Sequence, residues 1–183
     1  MEDLSLHLLD IMENCLNAQA TRIEVRIDEN PQADLLTLQI KDNGRGMDAQ
    51  TLENSTNPFF TTRKTRRYGL GLSMLSESAR ATGGKLEVDS TPGKGTLVKA
   101  TFHPSHIDMR PMGDIPQTLV TLIMGNPGIE LYYNHSIAGE SISLDTAELK
   151  ESLTSPKALR LVEERLREGL AELARRARGR ELT

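Results

Sequence analysis

The sequence predicts an α+β chain in two parts: a main unit over residues 1–104 and a small α/β annex over 105–183 that ends in a long helix. Three observations predict it. Apolar residues recur at three- and four-residue spacing over residues 4–18 and again over 159–177, the mark of amphipathic helices. Between them lie pairs of short runs in which apolar and polar residues alternate, as in half-buried strands. Glycine, proline, asparagine and aspartate cluster between the runs, where turns belong.

The first element spans Leu4 to Ala18, with Leu4, Leu8, Leu9, Met12, Cys15 and Leu16 on its apolar side. At about 100° per residue, His7, Asp10, Asn14 and Asn17 leave the helix within one polar sector, so a carboxylate and a carboxamide stand one turn apart. A carboxamide oxygen is a hard, neutral donor. It suits one corner of an octahedral Mg²⁺ whose other ligands are phosphate oxygens and waters. Asp10 is then placed to orient or deprotonate an attacking water.

Two alternating runs follow, Arg22 to Ile27 and Leu35 to Ile40, with a turn at Asp28-Glu-Asn-Pro-Gln32. Asp42 falls at the end of the second run. An ionised carboxylate there accepts a hydrogen bond from the exocyclic amine of adenine, Gly44 and Gly46 let the backbone approach the ring, and Met47 supplies a polarizable wall. Next come Pro58-Phe-Phe-Thr-Thr-Arg63 and Gly69-Leu-Gly-Leu72, which opens a helix to Thr82 stopped by Gly83-Gly84. The glycines and the positive end of that helix meet where phosphates lie, with Arg63, Lys64, Arg66 and Arg67 just ahead. A strand from Lys85 to Asp89, a Pro92-Gly93 turn and a strand from Thr96 to Phe102 complete the unit. In this order the segments read as an adenine nucleotide site. Other glycine motifs do not fit: Gly69-Leu-Gly-Leu-Ser lacks the third glycine of a dinucleotide fingerprint, and Gly93-Lys-Gly-Thr96 lacks the first glycine of a Walker A loop.

From about residue 4 to 102 the chain resembles the ATP-binding domain shared by DNA gyrase B, the heat-shock chaperone ATPases, sensor histidine kinases and MutL, the GHKL superfamily. The resemblance implies the Bergerat fold, a two-layer α/β sandwich whose mixed sheet carries its helices on one face. It implies ATP and Mg²⁺ as cofactors, Asn14 as the Mg²⁺ ligand, and Asp42 as the adenine-binding carboxylate. Gly69, Leu70, Gly71 and Leu72 match the second glycine box, and Gly95-Thr96 resembles the late element that puts Thr96 near the adenine. The same resemblance makes Ala18, Gly44, Gly46, Met47, Thr61 and Thr62 nucleotide contacts. The segment from Glu13 to Ile23 is similar to MutL-type sequences, whereas Pro58 to Arg63 and Gly69 to Ser73 look like nitrogen-sensor-type kinases.

Departures from the family shape the functional expectation. Asp10 stands where hydrolytic members carry a glutamate base and is one methylene shorter, so hydrolysis is expected to be slow. Arg67 replaces a glycine, and the segment between Asn57 and Tyr68 is too short for a long gating lid. The strand and helix that usually precede the first helix, and a phosphoacceptor module, are expected to be absent. His7 reads as the polar start of a helix rather than a phosphoacceptor, which in this family lies on a separate helix pair. Three readings follow, in this order: a histidine-kinase-like regulatory protein that passes the γ-phosphoryl to a separate protein; a slow ATPase switch of MutL or chaperone type; and a nucleotide-sensing subunit without turnover.

Composition bounds the rest. The 183 residues carry a formal charge of −4, which argues against a general nucleic-acid binder. One cysteine, Cys15, excludes an internal disulfide framework and fits a reducing cytoplasm. No apolar run reaches membrane length, and acidic residues interrupt the start where a signal peptide would be apolar. In the annex, a helix is expected from Pro116 to Met124, strands over Ile129–Tyr133 and Ser141–Leu144 flanking a turn at Ala138-Gly139, and a helix opened by Asp145-Thr-Ala-Glu148 as a capping box. Ser155-Pro156 starts the final helix, whose stripe is Leu159, Val162, Leu166, Leu170, Leu173 and Ala177. Packing of that stripe on its own fold is expected ahead of a partner helix, and a protein partner is expected to meet the annex.

Overall fold

The computed structural model describes residues 3–56, 70–149 and 155–181. Strands β1 (Arg22–Asn30), β2 (Leu35–Asp42), β3 (Lys85–Thr91), β4 (Gly95–Phe102), β5 (Glu130–Ile137) and β6 (Glu140–Asp145) form one six-stranded sheet in the order β3-β4-β2-β1-β5-β6. Neighbours are antiparallel except β1 and β5, which run parallel, so the sheet is mixed.

The alternation seen in the sequence becomes two unlike faces. Cross-strand partners such as Val98, Ile40, Val25, Tyr133 and Leu144 share one row, and Ala100, Leu38, Ile27 and His135 the next. That face is buried. Helices α1 (Leu4–Asn17), α3 (Leu70–Ala81), α4 (Ile115–Gly125) and α5 (Pro156–Glu181) contribute Leu8, Ile11, Leu75, Leu119, Leu159 and Leu166 to the same core. The opposite rows are polar. Arg22 lies 3.4 Å from Glu24 and 3.6 Å from Glu130, and the Arg26 guanidinium stands 5.5 Å from the centre of the Tyr132 ring. Helices on the apolar face and charges on the open one are what a two-layer sandwich requires.

The sheet passes through the expected boundary at residue 104 without a break, since β5 and β6 extend it from the edge of β1. The final helix lies on the fold as its stripe predicts: Leu159, Leu166, Leu173 and Ala177 are buried, and Gly169 lets it approach so closely that an added Cβ would stand 3.3 Å from Ile142.

Several boundaries differ from expectation. β1 continues to Asn30 instead of turning at Asp28, because β5 pairs alongside it as far as Ile137. The chain turns in a short 3-10 helix, Pro31–Ala33, whose Ala33 N–H is capped by Asn30. Asp145 to Glu148 opens no helix among the described residues. Asp145 ends β6, residues 146–149 form a turn, and the Thr146 hydroxyl accepts the Leu131 N–H at 2.8 Å, which ties the segment to β5. One short helix, α2 (Ala49–Asn54), has no counterpart among the expected elements; Asp48 caps it by accepting the Thr51 N–H.

Candidate functional site

Helix α1 exists because its apolar stripe has a sheet to cover, and Asp3 caps it by accepting the Leu6 N–H. Burying Leu8, Ile11, Met12 and Cys15 turns Asp10 and Asn14 toward the start of α3. A Cβ on Gly71 would lie 3.4 Å from Asp10 Cβ and 3.5 Å from Asn14 Nδ2, so the second glycine box meets the first helix at these two side chains. Helix α3 runs back along α1, and further down the same seam His7 Nε2 and Ser78 Oγ are 3.1 Å apart. His7 is buried there, joining two helices rather than marking an exposed helix start.

Asp42 ends β2 with 6% of its surface exposed. Its Oδ1 accepts the Gly44 N–H at 2.7 Å, an Asx turn that folds the glycine segment back toward α1. There the Ala18 carbonyl accepts the Arg45 N–H at 2.8 Å, and a Cβ on Gly44 would stand 2.6 Å from that carbonyl. Asn43 locks the other side of the loop, its Oδ1 accepting the Thr21 and Arg22 N–H groups. Gly46 has φ +66° and faces the Thr91 carbonyl so closely that a Cβ would be 2.1 Å from it. No side chain fits at Gly46 without moving the β3–β4 hairpin.

That hairpin forms the remaining wall. Gly95, at φ +93°, abuts the Asp42 carbonyl, and Thr96 follows it. The Arg45 carbonyl accepts the Gly93 N–H at 2.7 Å, and the Met47 N–H donates to Ser90 Oγ at 2.9 Å. Asp10, Asn14, Ala18, Asp42, Gly44, Gly46, Met47, Gly71 and Thr96 thus line one continuous strip from α3 across α1 to the hairpin. Leu72 lies on α3 beside Gly71, packed against the core, and Leu70 opens that helix. Thr61, Thr62 and Gly69 lie outside the described residues. Ser90 and Asn43 are the two residues of the strip that motif reading passed over. Ser90 pairs directly with Thr96 across the hairpin, a register that counting outward from the Pro92-Gly93 turn reveals.

Burial, with the Asp42 charge adding to it, pushes the Cys15 thiol far above its ordinary range, so it stays protonated. Among the described residues no three histidine, cysteine, aspartate or glutamate side chains gather as a metal site. A single carboxamide and a neighbouring carboxylate suit a cation that takes most of its ligands from phosphates and water.

Comparison with known proteins decides the family. Residues 2–106 match the family model described as histidine kinase-, DNA gyrase B- and HSP90-like ATPase. The chain belongs to this ATPase family. A GHKL-type domain implies ATP binding, and the three relatives that follow are named as sensor proteins or sensor kinases. A sensor protein of Shewanella frigidimarina is 40% identical over 97 residues, 52% of this chain and 15% of that protein. The sensor kinase CckA of Brucella abortus is 38% identical over 100 residues, covering 54% and 10%, and the sensor protein kinase FleS of Pseudomonas aeruginosa 42% over 89, covering 49% and 22%. The chain spans less than a quarter of the length of each of these three relatives. Among solved structures, the N-terminal domain of a DNA repair protein superposes with a TM-score of 0.60 at 17% identity, covering 87% of this chain and 59% of that one. That likeness carries the fold through the annex. Among the described residues no helix is long and apolar enough to cross a membrane.

Proposed function

We propose that this GHKL domain binds Mg·ATP in the strip between α1, α3 and the β3–β4 hairpin, and passes the γ-phosphoryl to a separate protein. The observation that carries the nucleotide reading is the buried Asp42, held by the Gly44 N–H where Gly44, Gly46 and Gly95 let the glycine loop close against α1 and the β3–β4 hairpin. In this reading Asp42 accepts the adenine amine, with Thr96 and Met47 beside the base. Asn14 supplies one ligand of Mg²⁺, and Thr61, Thr62 and Gly69 to Leu72 attend the phosphates. The metal, when bound, neutralises charge on the phosphates as the γ-phosphoryl leaves. Asp10 orients the incoming nucleophile. Sequence kinship to sensor kinases supports transfer, and the formal charge of −4 with a single cysteine supports a cytoplasmic setting away from nucleic acid.

A second reading, a slow ATPase switch, is favoured by one observation: α4 of the annex packs on α1, the helix that carries Asp10 and Asn14. A shift of α1 on nucleotide binding reaches residues 105–183 directly, and a protein partner meets that surface. In either reading residues 1–104 hold the nucleotide and the annex conveys its state.

Hydrolysis and transfer separate on Asp10. A base must reach the water in line with the γ-phosphorus, and a carboxylate one methylene short falls outside hydrogen-bond range. The parent is expected to bind ATP and release phosphate very slowly, and Asp10→Glu to release it faster. Steady-state phosphate release on parent, Asp10→Glu and Asp10→Ala tests this. Brisk parental turnover, lost in Asp10→Ala and not improved in Asp10→Glu, makes Asp10 a competent base and favours the switch.

A further inference from the structure

The Ser90 hydroxyl stands where three hydrogen bonds cross. It accepts the Met47 N–H at 2.9 Å, donates to the Gly95 carbonyl at 3.0 Å, and lies 2.9 Å from the Thr96 hydroxyl. A serine has one proton and two lone pairs. The Gly95 carbonyl can only accept, so the Ser90 proton goes there. The Met47 N–H takes one lone pair, and the other is left for Thr96. Thr96 must therefore be the donor in its bond with Ser90, which leaves its own oxygen with lone pairs alone.

We infer that Ser90 is a specificity-determining residue: by engaging the Thr96 proton it makes Thr96 an acceptor toward the base, selecting purines with a 6-amino group over those with a 6-oxo group. The inference rests on the adenine-site reading of Asp42 and Thr96 given above. An amino group offers two N–H donors, so one meets the Asp42 carboxylate and the second has an acceptor in Thr96. A 6-oxo purine brings an acceptor against two acceptors. Ser90 touches no ligand in this scheme and acts by setting its neighbour's polarity. It also holds the Met47 wall through a separate bond, so loss of the hydroxyl has two consequences that can be told apart. Loosening of Met47 weakens every purine alike, whereas release of the Thr96 proton lets that hydroxyl turn and donate to a 6-oxo group.

The test is displacement of a fluorescent ATP analogue by ATP and by inosine triphosphate from the full chain, as parent, Ser90→Ala, Ser90→Thr and Thr96→Val. The parent prefers ATP. In Ser90→Ala the ATP-to-inosine-triphosphate preference falls by about five- to tenfold, the worth of one neutral hydrogen bond, largely through tighter inosine triphosphate binding. Ser90→Thr, which keeps the hydroxyl, retains the parental preference. Thr96→Val, which leaves Ser90 in place, lowers ATP affinity and leaves inosine triphosphate unchanged, and it serves as the second arm should Ser90→Ala fold poorly. An unchanged preference in Ser90→Ala, or equal losses for both nucleotides there or in Thr96→Val, overturns the inference while the adenine site stands. A parent that binds no ATP overturns both.

Discussion

In the proposed site Asn14 presents a neutral oxygen to the cation. Asp10, one turn earlier, carries the charge instead, and Gly71 lies against both. If Asn14 supplies a Mg²⁺ ligand, Asn14→Ala weakens Mg·ATP binding and leaves metal-free ATP binding nearly intact, because only the former loses a coordination bond. Calorimetric titrations with and without Mg²⁺ measure the difference, and equal losses in both remove Asn14 from the coordination shell. Cys15, the next residue, illustrates how position governs chemistry. Its thiol is buried near the Asp42 carboxylate, and both burial and that charge hold it protonated, so it is a wall of the fold rather than a nucleophile.

At the scale of elements, α5 distinguishes a docked helix from a free one. Leu166 is buried between α5 and the core, and Leu170 on the same stripe is only half covered. Leu166→Ala is expected to cost about 2–4 kcal/mol, a fall in Tm on the order of 10 °C for a chain of this size, with a smaller effect for Leu170→Ala. A melting curve unmoved by Leu166→Ala would mean that α5 does not rest on the sheet in solution. Docking of this stripe was legible in the sequence, as were α1 and the β3–β4 hairpin, since each has a clean period of 3.6 or 2 and a cap or turn at its ends. What local sequence hid depends on distant partners. Asp28 and Asn30 are turn formers by themselves, yet both lie in β1, with Ser136 of β5 beside Asp28 and Leu35 of β2 beside Asn30. Asp145 to Glu148 carries a capping-box pattern, but Thr146 bonds the β5 backbone and the segment stays with the sheet. In the candidate site, type and spacing single out Asn14, Asp42 and Gly71, and the structure sets Asn14 beside Gly71. They do not single out Ser90, because its meaning lies in the register that sets it opposite Thr96.

At the scale of the molecule, one sheet joins the proposed nucleotide strip to residues 130–145, and α1 touches both α3 and α4. The strip is assembled from parts far apart in sequence, and its centre is the carboxylate of Asp42. The most direct measurement is isothermal titration of the full chain with Mg·ATP, for the parent and for Asp42→Asn. Replacing the carboxylate by a carboxamide removes a charge-assisted hydrogen bond to the adenine amine. Binding should weaken by about 1.5–3 kcal/mol, roughly ten- to a hundredfold in Kd. Asp42→Asn binding Mg·ATP as tightly as the parent would contradict the assignment of this strip as the adenine site.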